Sequence, residues 1–245
     1  MAKKLTLYQI LRKSGMFSSK EELVDALRGG KVAIDGRVTK NQQFQCNPNT
    51  RSVTVSGKEV TFVTKKYFIL NKPFNTSCQF GDQFKYCRDL IDKEKIGGKV
   101  WNSLFCVGRL DVPTTGLLII TNDGEFSRKI LSPDMKVWKK YKVLVKEKIT
   151  DEQIESLQRG VTIEMKQGGT YQCLPAKVTR IRDHELYLSI SEGKFRQVRK
   201  MLEAVGNKVA ALQRVAIGNL KLGSLQEGEW IEVNCEEIST PISSN

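Results

Sequence analysis

The chain has 245 residues, of which 40 % are hydrophobic and 27 % charged. This is the composition of an ordinary globular protein with one large or two unequal domains, and no apolar run approaches the ~18 residues that a membrane span needs. The net charge of +13 predicts a polyanionic partner, nucleic acid rather than a membrane surface. A single histidine, His184, and six scattered cysteines without a C-x-x-C pair argue against zinc, disulfides and histidine-dependent catalysis, and predict buried thiols.

Two short helices followed by a ribbon of strands are predicted at the N-terminus. Apolar residues recur at helical spacing over 7–11, and a second helix starts at Ser18 or Ser19 and ends at a Gly-Gly pair. Short alternating strands follow at 32–34 and 53–55, each with a turn signal behind it. This unit is the more basic part of the chain, because residues 1–65 contain 12 Lys/Arg and 5 Asp/Glu.

The arrangement resembles the RNA-binding module of the ribosomal protein S-four type over most of residues 5–60. The resemblance rests on three segments, 15–20, 27–32 and 34–38. Thr6 and Ser19 stand where that family usually has arginine, so two expected phosphate contacts are absent. Five basic residues are expected to supply the RNA contacts: Lys13, Lys20, Arg28, Lys31 and Arg37.

Longer apolar strands separated by helices are predicted from Tyr67 onward. Strands are expected at 67–70, 104–107, 116–120, 141–145, 176–181 and 186–190, with helices over 126–131, 151–159 and 195–205. The last helix is expected to bury Phe195, Val198, Met201, Leu202 and Val205 on one face. Mixed strands with inserted helices predict an α+β fold.

Two segments place dense polar groups inside this apolar frame. The first, 108–116, is a loop between two predicted core strands, which would hold Asp111 in a defined direction. The second, 192–200, places Arg196, Arg199 and Lys200 on a predicted helix opposite its apolar face. Taken alone, Asp111 could equally be a turn residue and the helix an ordinary basic surface.

At these segments the chain resembles the ribosomal RNA pseudouridine synthases, closest to their RsuA-like branch, which joins an S-four-type module to a catalytic domain. The matching motifs are Gly108-Arg109-Leu110-Asp111 with its following Thr-x-Gly-Leu-Leu, Thr121-Asn122-Asp123-Gly124, Asn71-Lys72-Pro73, Lys139-Lys140-Tyr141, the segment 190–201 and Gly228-Glu229-Trp230. They occur in the same order as in the family and cover nearly the whole chain.

The resemblance implies the chemistry of the site. Asp111 would be the nucleophile, attacking either ribose carbon 1 or uracil carbon 6. Tyr141 would pack on a uridine flipped out of its helix, and Arg199 would pair with Asp111 and orient it. Arg109, Lys72, Arg196 and Lys200 are further candidates for RNA contact, although the family often has histidine at position 196.

The resulting expectation is an α+β protein of two domains. A small S-four-like α/β RNA-binding module over 1–60 and a linker over 61–66 precede a catalytic domain over 67–238, with a mixed, mostly antiparallel sheet flanked by helices, and a flexible tail over 239–245. No metal or organic cofactor is expected. A cytoplasmic location is also expected, since no apolar segment follows the basic N-terminus.

The predicted activity is isomerisation of a uridine in ribosomal RNA by a monomer that acts on free RNA or an assembling subunit. The segment 203–209 resembles the enzymes of the small subunit more than those of the large subunit, which favours 16S RNA as the substrate. The alternatives are an enzyme that acts on 23S RNA and a non-catalytic RNA-binding assembly protein. An RNA methyltransferase is disfavoured, because the chain has no G-x-G-x-x-G loop.

Overall fold

The computed structural model describes residues 4–239, and contacts divide the chain into two compact units. The smaller unit comprises the residues up to Lys66 together with Ile91–Phe105, and the larger unit comprises Tyr67–Leu90 and the residues from Cys106 onward. The segment 91–105, which the sequence analysis assigned to the larger domain, therefore groups with the smaller unit. Two close contacts hold it there: the Asn102 side chain donates to the Gly15 carbonyl at 3.0 Å, and a Cβ at Gly15 would collide with the Lys99 backbone.

The smaller unit contains the predicted helix pair and strand ribbon. Its elements are β1 (Leu5–Thr6), α1 (Leu7–Lys13), α2 (Lys20–Arg28), β2 (Val32–Ile34), β3 (Arg37–Val38), β4 (Gln45–Cys46), β5 (Val53–Val55) and β6 (Lys58–Glu59), with α3 (Lys93–Ile96) and α4 (Gly98–Ser103) from the later segment. The strands β3-β2-β5-β6 form one sheet, and β1 pairs with β4. Residues 61–66, predicted as a linker, have no regular structure.

Local signals explain where these elements begin and end. The Ser19 side chain caps α2 by accepting a hydrogen bond from the Glu22 N–H. Asp35 and Gly36 both adopt positive φ, which is the backbone that a tight two-residue hairpin between β2 and β3 requires. The apolar helix positions pack with the buried faces of β2 and β5 into one core, as the spacing predicted.

In its described part, the larger unit has a nine-stranded sheet with helices inserted between its strands. Its elements are β7 (Tyr67–Lys72), β8 (Thr76–Ser77), β9 (Lys85–Tyr86), β10 (Phe105–Val107, at the unit boundary), β11 (Thr115–Thr121), α5 (Gly124–Leu131), β12 (Lys139–Val145), α6 (Asp151–Arg159), β13 (Thr162–Glu164), β14 (Thr170–Gln172), β15 (Lys177–Arg182), β16 (Glu185–Ile190), α7 (Gln197–Ala204), β17 (Val209–Ile217), β18 (Leu220–Lys221), β19 (Trp230–Glu232) and α8 (Cys235–Ser239). Short 3₁₀ turns lie at Cys87–Leu90 and Pro133–Met135.

The strand order of the large sheet is β15-β16-β12-β17-β11-β7-β19, with β10 beside β11 and β18 beside β17. The pair β11–β17 is parallel, whereas β11–β7, β12–β17, β12–β16 and β15–β16 are antiparallel. The predicted α+β class with a mixed, mostly antiparallel sheet is confirmed. β11 lies inside the sheet, and its residues 117–120 are fully buried, so the strand offers a rigid support for the loop that precedes it.

Some sequence expectations need correction. Phe195 is not on the apolar face of a helix: α7 begins at Gln197, and the Phe195 ring is 45 % exposed. Arg196 precedes the helix in a left-handed conformation with φ of 54°, so the chain turns there before the helix starts. Only three of the six cysteines are buried, and the other three are half-exposed.

Two further observations concern the C-terminal tail and the length and apolar character of the helices. Of the tail predicted over 239–245, Ser239 belongs to α8 and the remainder lies outside the described residues. Within residues 4–239, no helix has the length and apolar character that crossing a bilayer requires.

Candidate active site

The loop 108–114 joins β10 to β11 and carries Asp111; it is shorter than the expected 108–116 because β11 begins at Thr115. The side chain of Lys72, which is fully buried, binds the backbone of this loop. The Lys72 ammonium group donates to the carbonyl oxygens of Pro73, Val112 and Thr114 at 3.0, 3.2 and 2.9 Å. Burial lowers the pKa of Lys72. The expectation that Lys72 contacts RNA is therefore corrected, because its donors are committed to the protein backbone.

The start of β11, directly after the loop, requires a glycine. Gly116 pairs with Arg214 where β11 runs parallel to β17, and its φ is 102°. A Cβ at this position would lie 2.7 Å from the Arg214 nitrogen and would collide with the Arg214 carbonyl oxygen. The glycine in this motif thus allows the loop to close directly onto the neighbouring strand.

Arg199 reaches the same loop from α7. Its Nε lies 3.9 Å from an Asp111 carboxylate oxygen, and its Nη2 donates to the Pro113 carbonyl and the Thr114 hydroxyl, both at 3.3 Å. Nε is buried and has no hydrogen-bond partner among the described residues. Since 3.9 Å is an ion-pair distance but longer than a hydrogen bond, a small approach of the two side chains would complete the contact.

Tyr141 lies on β12, opposite Arg214 of β17. The pairing of these strands shifts register between Lys140 and Tyr141, an irregularity of the kind that redirects side chains near functional sites. The Tyr141 side chain is 9 % exposed and belongs to the same apolar cluster as Leu110, the neighbour of Asp111. The aromatic ring is therefore fixed close to the base of the loop.

Asp111, Tyr141 and Arg199 line one cavity of about 510 Å³, and Arg109 and Arg196 lie on its lining as well. This volume is in the range of sites for small molecules or single nucleotides. Among the residues that the structure describes, seven lysines and arginines and two carboxylates line it. The cavity is consequently suited to an anionic ligand that presents a planar group to the tyrosine.

Arg214 is a site residue that the sequence motifs did not predict. This residue is 5 % exposed, and its Nε donates to the Leu117 carbonyl at 2.8 Å. Its Nη2 is buried without a hydrogen-bond partner among the described residues, and the residue lines the cavity. Burial and the charge of Arg214 lower the pKa of the neighbouring Lys139. The signal was an arginine at an inward position of a mostly apolar strand.

Glu192 connects three groups at the edge of the cavity through hydrogen bonds. Its carboxylate accepts hydrogen bonds from the Tyr171 hydroxyl and the Gln197 amide, both at 2.6 Å, and from the Leu174 N–H at 3.0 Å. The hydrogen bond to Glu192 raises the pKa of Tyr171 to about 12. The segment before α7 is thus tied to β14 and to the residues that follow it.

The remaining predicted RNA-contact residues are placed in different ways. Arg109 and Arg196 are exposed. Lys200 is turned away from the cavity lining, because its ammonium group donates to the Glu164 carbonyl at 2.5 Å. Among the candidates of the smaller unit, Lys13 is half-buried and the others are exposed: Lys20, Arg28, Lys31 and Arg37.

Comparison with known families decides what kind of protein presents this cavity. Residues 66–204 match the model of the family described as RNA pseudouridylate synthase. The chain belongs to this family. It is accordingly an RNA-modifying isomerase, as its motifs predicted, and the matched region includes the Asp111 loop, Tyr141 and Arg199.

Curated relatives resemble the chain over nearly its full length. An uncharacterized RNA pseudouridine synthase of Bacillus subtilis is 35 % identical over 96 % of this chain and 97 % of its own. The ribosomal small subunit pseudouridine synthase A of Vibrio cholerae is 34 % identical over 91 % of this chain and 94 % of its own. The Escherichia coli protein of the same name is 33 % identical, with coverage of 88 % and 91 %.

The fold agrees with these matches. A crystal structure of a pseudouridylate synthase superimposes with a TM-score of 0.67 and 30 % sequence identity, covering 96 % of this chain and 98 % of the other. The similarity thus extends over both units of the chain and is not confined to the catalytic motifs.

Proposed function

We propose that this pseudouridine synthase isomerises a uridine of the small-subunit 16S ribosomal RNA, with Asp111 as its nucleophile. The observation that carries the proposal is the meeting of Asp111, Arg199 and Tyr141 on one cationic cavity of about 510 Å³. The choice of RNA is supported by the Vibrio cholerae and Escherichia coli relatives, which are named for the small ribosomal subunit.

The reaction breaks the bond between uracil N1 and ribose C1′, rotates the base and joins C5 to C1′. Nothing is oxidised and no atom is lost, so the site needs a nucleophile and a means of holding the detached uracil. A carboxylate can form a covalent intermediate at ribose C1′ or at uracil C6, and the residues present are compatible with both routes. Asp111 is suited to this role because its loop leads directly into the buried strand β11 and is bound by Lys72 and Arg199.

Arg199 positions the nucleophile, and Tyr141 positions the uracil. The Arg199 Nε faces the Asp111 carboxylate while its Nη2 is anchored to the loop, so the guanidinium orients the nucleophile. The Tyr141 ring packs against the uracil and limits its rotation to the plane of the base. The unpaired Nη2 of Arg214 supplies a donor for a uracil carbonyl oxygen in the same cavity.

A uridine reaches such a cavity only after leaving its helix, which costs a few kcal/mol of stacking and pairing. Cationic groups around the cavity offset part of this cost by binding the phosphates on either side of the flipped nucleotide. The smaller unit is the S-four-like RNA-binding module of this proposal, and Lys20, Arg28, Lys31 and Arg37 present charge to solvent there. The protein acts in the cytoplasm as a monomer.

The experiment is pseudouridine mapping over all ribosomal RNA from cells with the gene, without it, and with only the Asp111→Asn form. We expect one 16S position to lose pseudouridine in both defective strains. The matched control is Asp183→Asn, which removes an exposed carboxylate outside the cavity and should restore the modification. Purified proteins incubated with 16S and 23S transcripts provide the same comparison in vitro.

The outcomes separate the candidate functions. Loss of a 23S position would replace the small-subunit proposal by a large-subunit one. An unchanged profile, together with RNA binding by the purified protein, would favour a non-catalytic assembly protein. Full modification by Asp111→Asn would remove Asp111 from the role of nucleophile while leaving the isomerase activity intact.

A further inference from the structure

Three thiols from three segments of the chain lie next to the Asp111 loop. Cys78 follows β8 and Cys87 follows β9, and their sulfur atoms lie 4.0 Å apart. The Cys106 thiol of β10 is close enough to affect the pKa values of both. All six cysteines are free, and the described residues contain no group of ligands that could hold a metal ion. The cluster is therefore available for thiol chemistry.

The geometry of Cys78 and Cys87 matches that of a disulfide pair. β8 and β9 are parallel, with Thr76 opposite Lys85 and Ser77 opposite Tyr86, so Cys78 and Cys87 are the next opposed positions. Neighbouring strands are ~4.8 Å apart, within the Cα separation of about 4.4–6.8 Å that a disulfide spans. Closing the sulfur atoms from 4.0 Å to a bond requires side-chain rotation and no rearrangement of the strands.

The two sulfur atoms differ in reactivity. Cys87 is fully buried, whereas Cys78 is partly exposed and its sulfur accepts the Leu110 N–H at 3.3 Å. Hydrogen bonds from the Cys106 and Cys87 thiols, the Leu110 N–H and the charge of Lys72 lower the pKa of Cys78. A thiolate is the form that attacks peroxides, and a neighbouring thiol is what resolves the product.

We infer that Cys78 and Cys87 form a peroxide-sensitive thiol pair whose oxidation acts on the catalytic loop. The Cys78 thiolate attacks a hydroperoxide, ROOH: a sulfur–oxygen bond forms, the O–O bond breaks, and Cys78 becomes a sulfenic acid. The departing alkoxide takes up a proton from solvent, equal to the one that the Cys78 thiol released, and leaves as ROH. The Cys87 sulfur then attacks the Cys78 sulfur, the S–OH bond breaks, and the hydroxyl leaves as water with the Cys87 proton. The sum is two thiols and ROOH giving one disulfide, ROH and water, with the cysteines oxidised by two electrons and the peroxide reduced.

The link to the site is a direct hydrogen bond. Cys78 holds the N–H of Leu110, the residue next to Asp111, and Gln79 accepts a hydrogen bond from Arg109 at 2.5 Å. Forming the disulfide pulls the Cys78 sulfur toward Cys87 and removes its negative charge, so the Leu110 N–H loses its acceptor. The loop then shifts, and turnover falls. This consequence for turnover rests on the proposed function, whereas formation of the disulfide does not.

The test begins with the reduced full-length protein and a small excess of hydrogen peroxide, followed by alkylation of free thiols and tryptic digestion. Cleavage should give the peptides 67–85 and 86–88 joined through Cys78 and Cys87. The double variant Cys87→Ala, Cys106→Ala, which lacks both neighbouring thiols, should instead accumulate a sulfenic acid at Cys78, which dimedone labels. Cys173→Ala, a buried cysteine elsewhere in the unit, is the matched control and should form the bond like the unchanged protein.

Turnover is measured on the same samples with the RNA identified by the mapping experiment. We expect oxidation to lower turnover at least tenfold and dithiothreitol to restore it. We expect Cys87→Ala not to form the disulfide. A bond between Cys78 and the peptide 100–109, or no bond at millimolar peroxide, would overturn the pairing. A disulfide without loss of turnover would overturn the link to the loop. Absence of turnover in the reduced protein would count against the proposed function alone, because the peptide result does not depend on it.

Discussion

Replacing Lys72 with methionine tests whether a buried ammonium group holds the Asp111 loop. Methionine keeps the length and most of the volume of the side chain, so the main change is the loss of three donors to the carbonyls of Pro73, Val112 and Thr114. Hydrogen bonds from a charged donor contribute ~1.5–3 kcal/mol each, which amounts to ~4–9 kcal/mol for three.

Part of this stabilisation is returned when the charge is removed, because burying an ammonium ion costs several kcal/mol. We therefore expect a net loss of ~3 kcal/mol in the free energy of unfolding. For a unit of this size that corresponds to a fall in Tm of ~6–12 °C. The positioning of Asp111 should loosen as well, so turnover should fall more than RNA affinity.

Urea unfolding followed by tryptophan fluorescence, with thermal unfolding as a second measurement, provides the assay. The matched control is Lys146→Met, which removes an exposed lysine from the same unit. If the two variants unfold within ~0.5 kcal/mol of each other, the carbonyls do not depend on Lys72 and the reasoning about the loop is refuted.

Further changes probe the site, the thiol cluster and the RNA-binding unit. Gly116→Ala should lower the unfolding free energy by more than ~3 kcal/mol, since its Cβ meets the neighbouring strand at a positive φ; a stable variant in urea titration would contradict this. Tyr171→Phe should cost ~1 kcal/mol and raise KM for RNA, because the Glu192 rim loses a hydrogen bond; unchanged kinetics would exclude that role. At pH 6, iodoacetamide should label Cys78 faster than Cys235, because the lowered pKa of Cys78 keeps its thiolate present below the usual range; equal rates would count against it. Replacing the exposed basic residues of the smaller unit by glutamine should reduce the salt dependence of RNA binding. In filter binding, the slope of log K against log salt concentration should fall by ~0.7 per lost phosphate contact, and an unchanged slope would remove these residues from the interface. They are Lys20, Arg28, Lys31 and Arg37.

Most helices and core strands could be predicted because their signals are local. For α6, Thr150 provides a capping box and Gly160 ends the helix with a positive φ, as the spacing indicated. β12 shows the alternation of a half-buried strand. Short strands such as β18 and β19 were not predicted, since two or three residues carry too little periodicity to distinguish a strand from a loop.

Burial of individual polar residues was not predictable in the same way. Lys72 follows an apolar strand and precedes a proline, a pattern equally suited to an exposed end, yet β7 pairs with both β11 and β19 and its lysine becomes part of the interior. Phe195 shows the opposite error, because its spacing fits a helix that begins only two residues later. In both cases the outcome depends on neighbours supplied by other parts of the chain.

By itself, the sequence determined the basic charge, the α+β class, the family and the candidate catalytic residues, because composition, periodicity and contiguous motifs are properties of short segments. Only the tertiary structure placed Arg199 beside Asp111, aligned Arg214 with the start of β11 and gathered Cys78, Cys87 and Cys106 next to the loop. These contacts follow from strand order and pairing register, above all from the parallel pairing of β11 with β17. Such pairings join segments that are distant in the sequence, and no local pattern specifies which of them become neighbours.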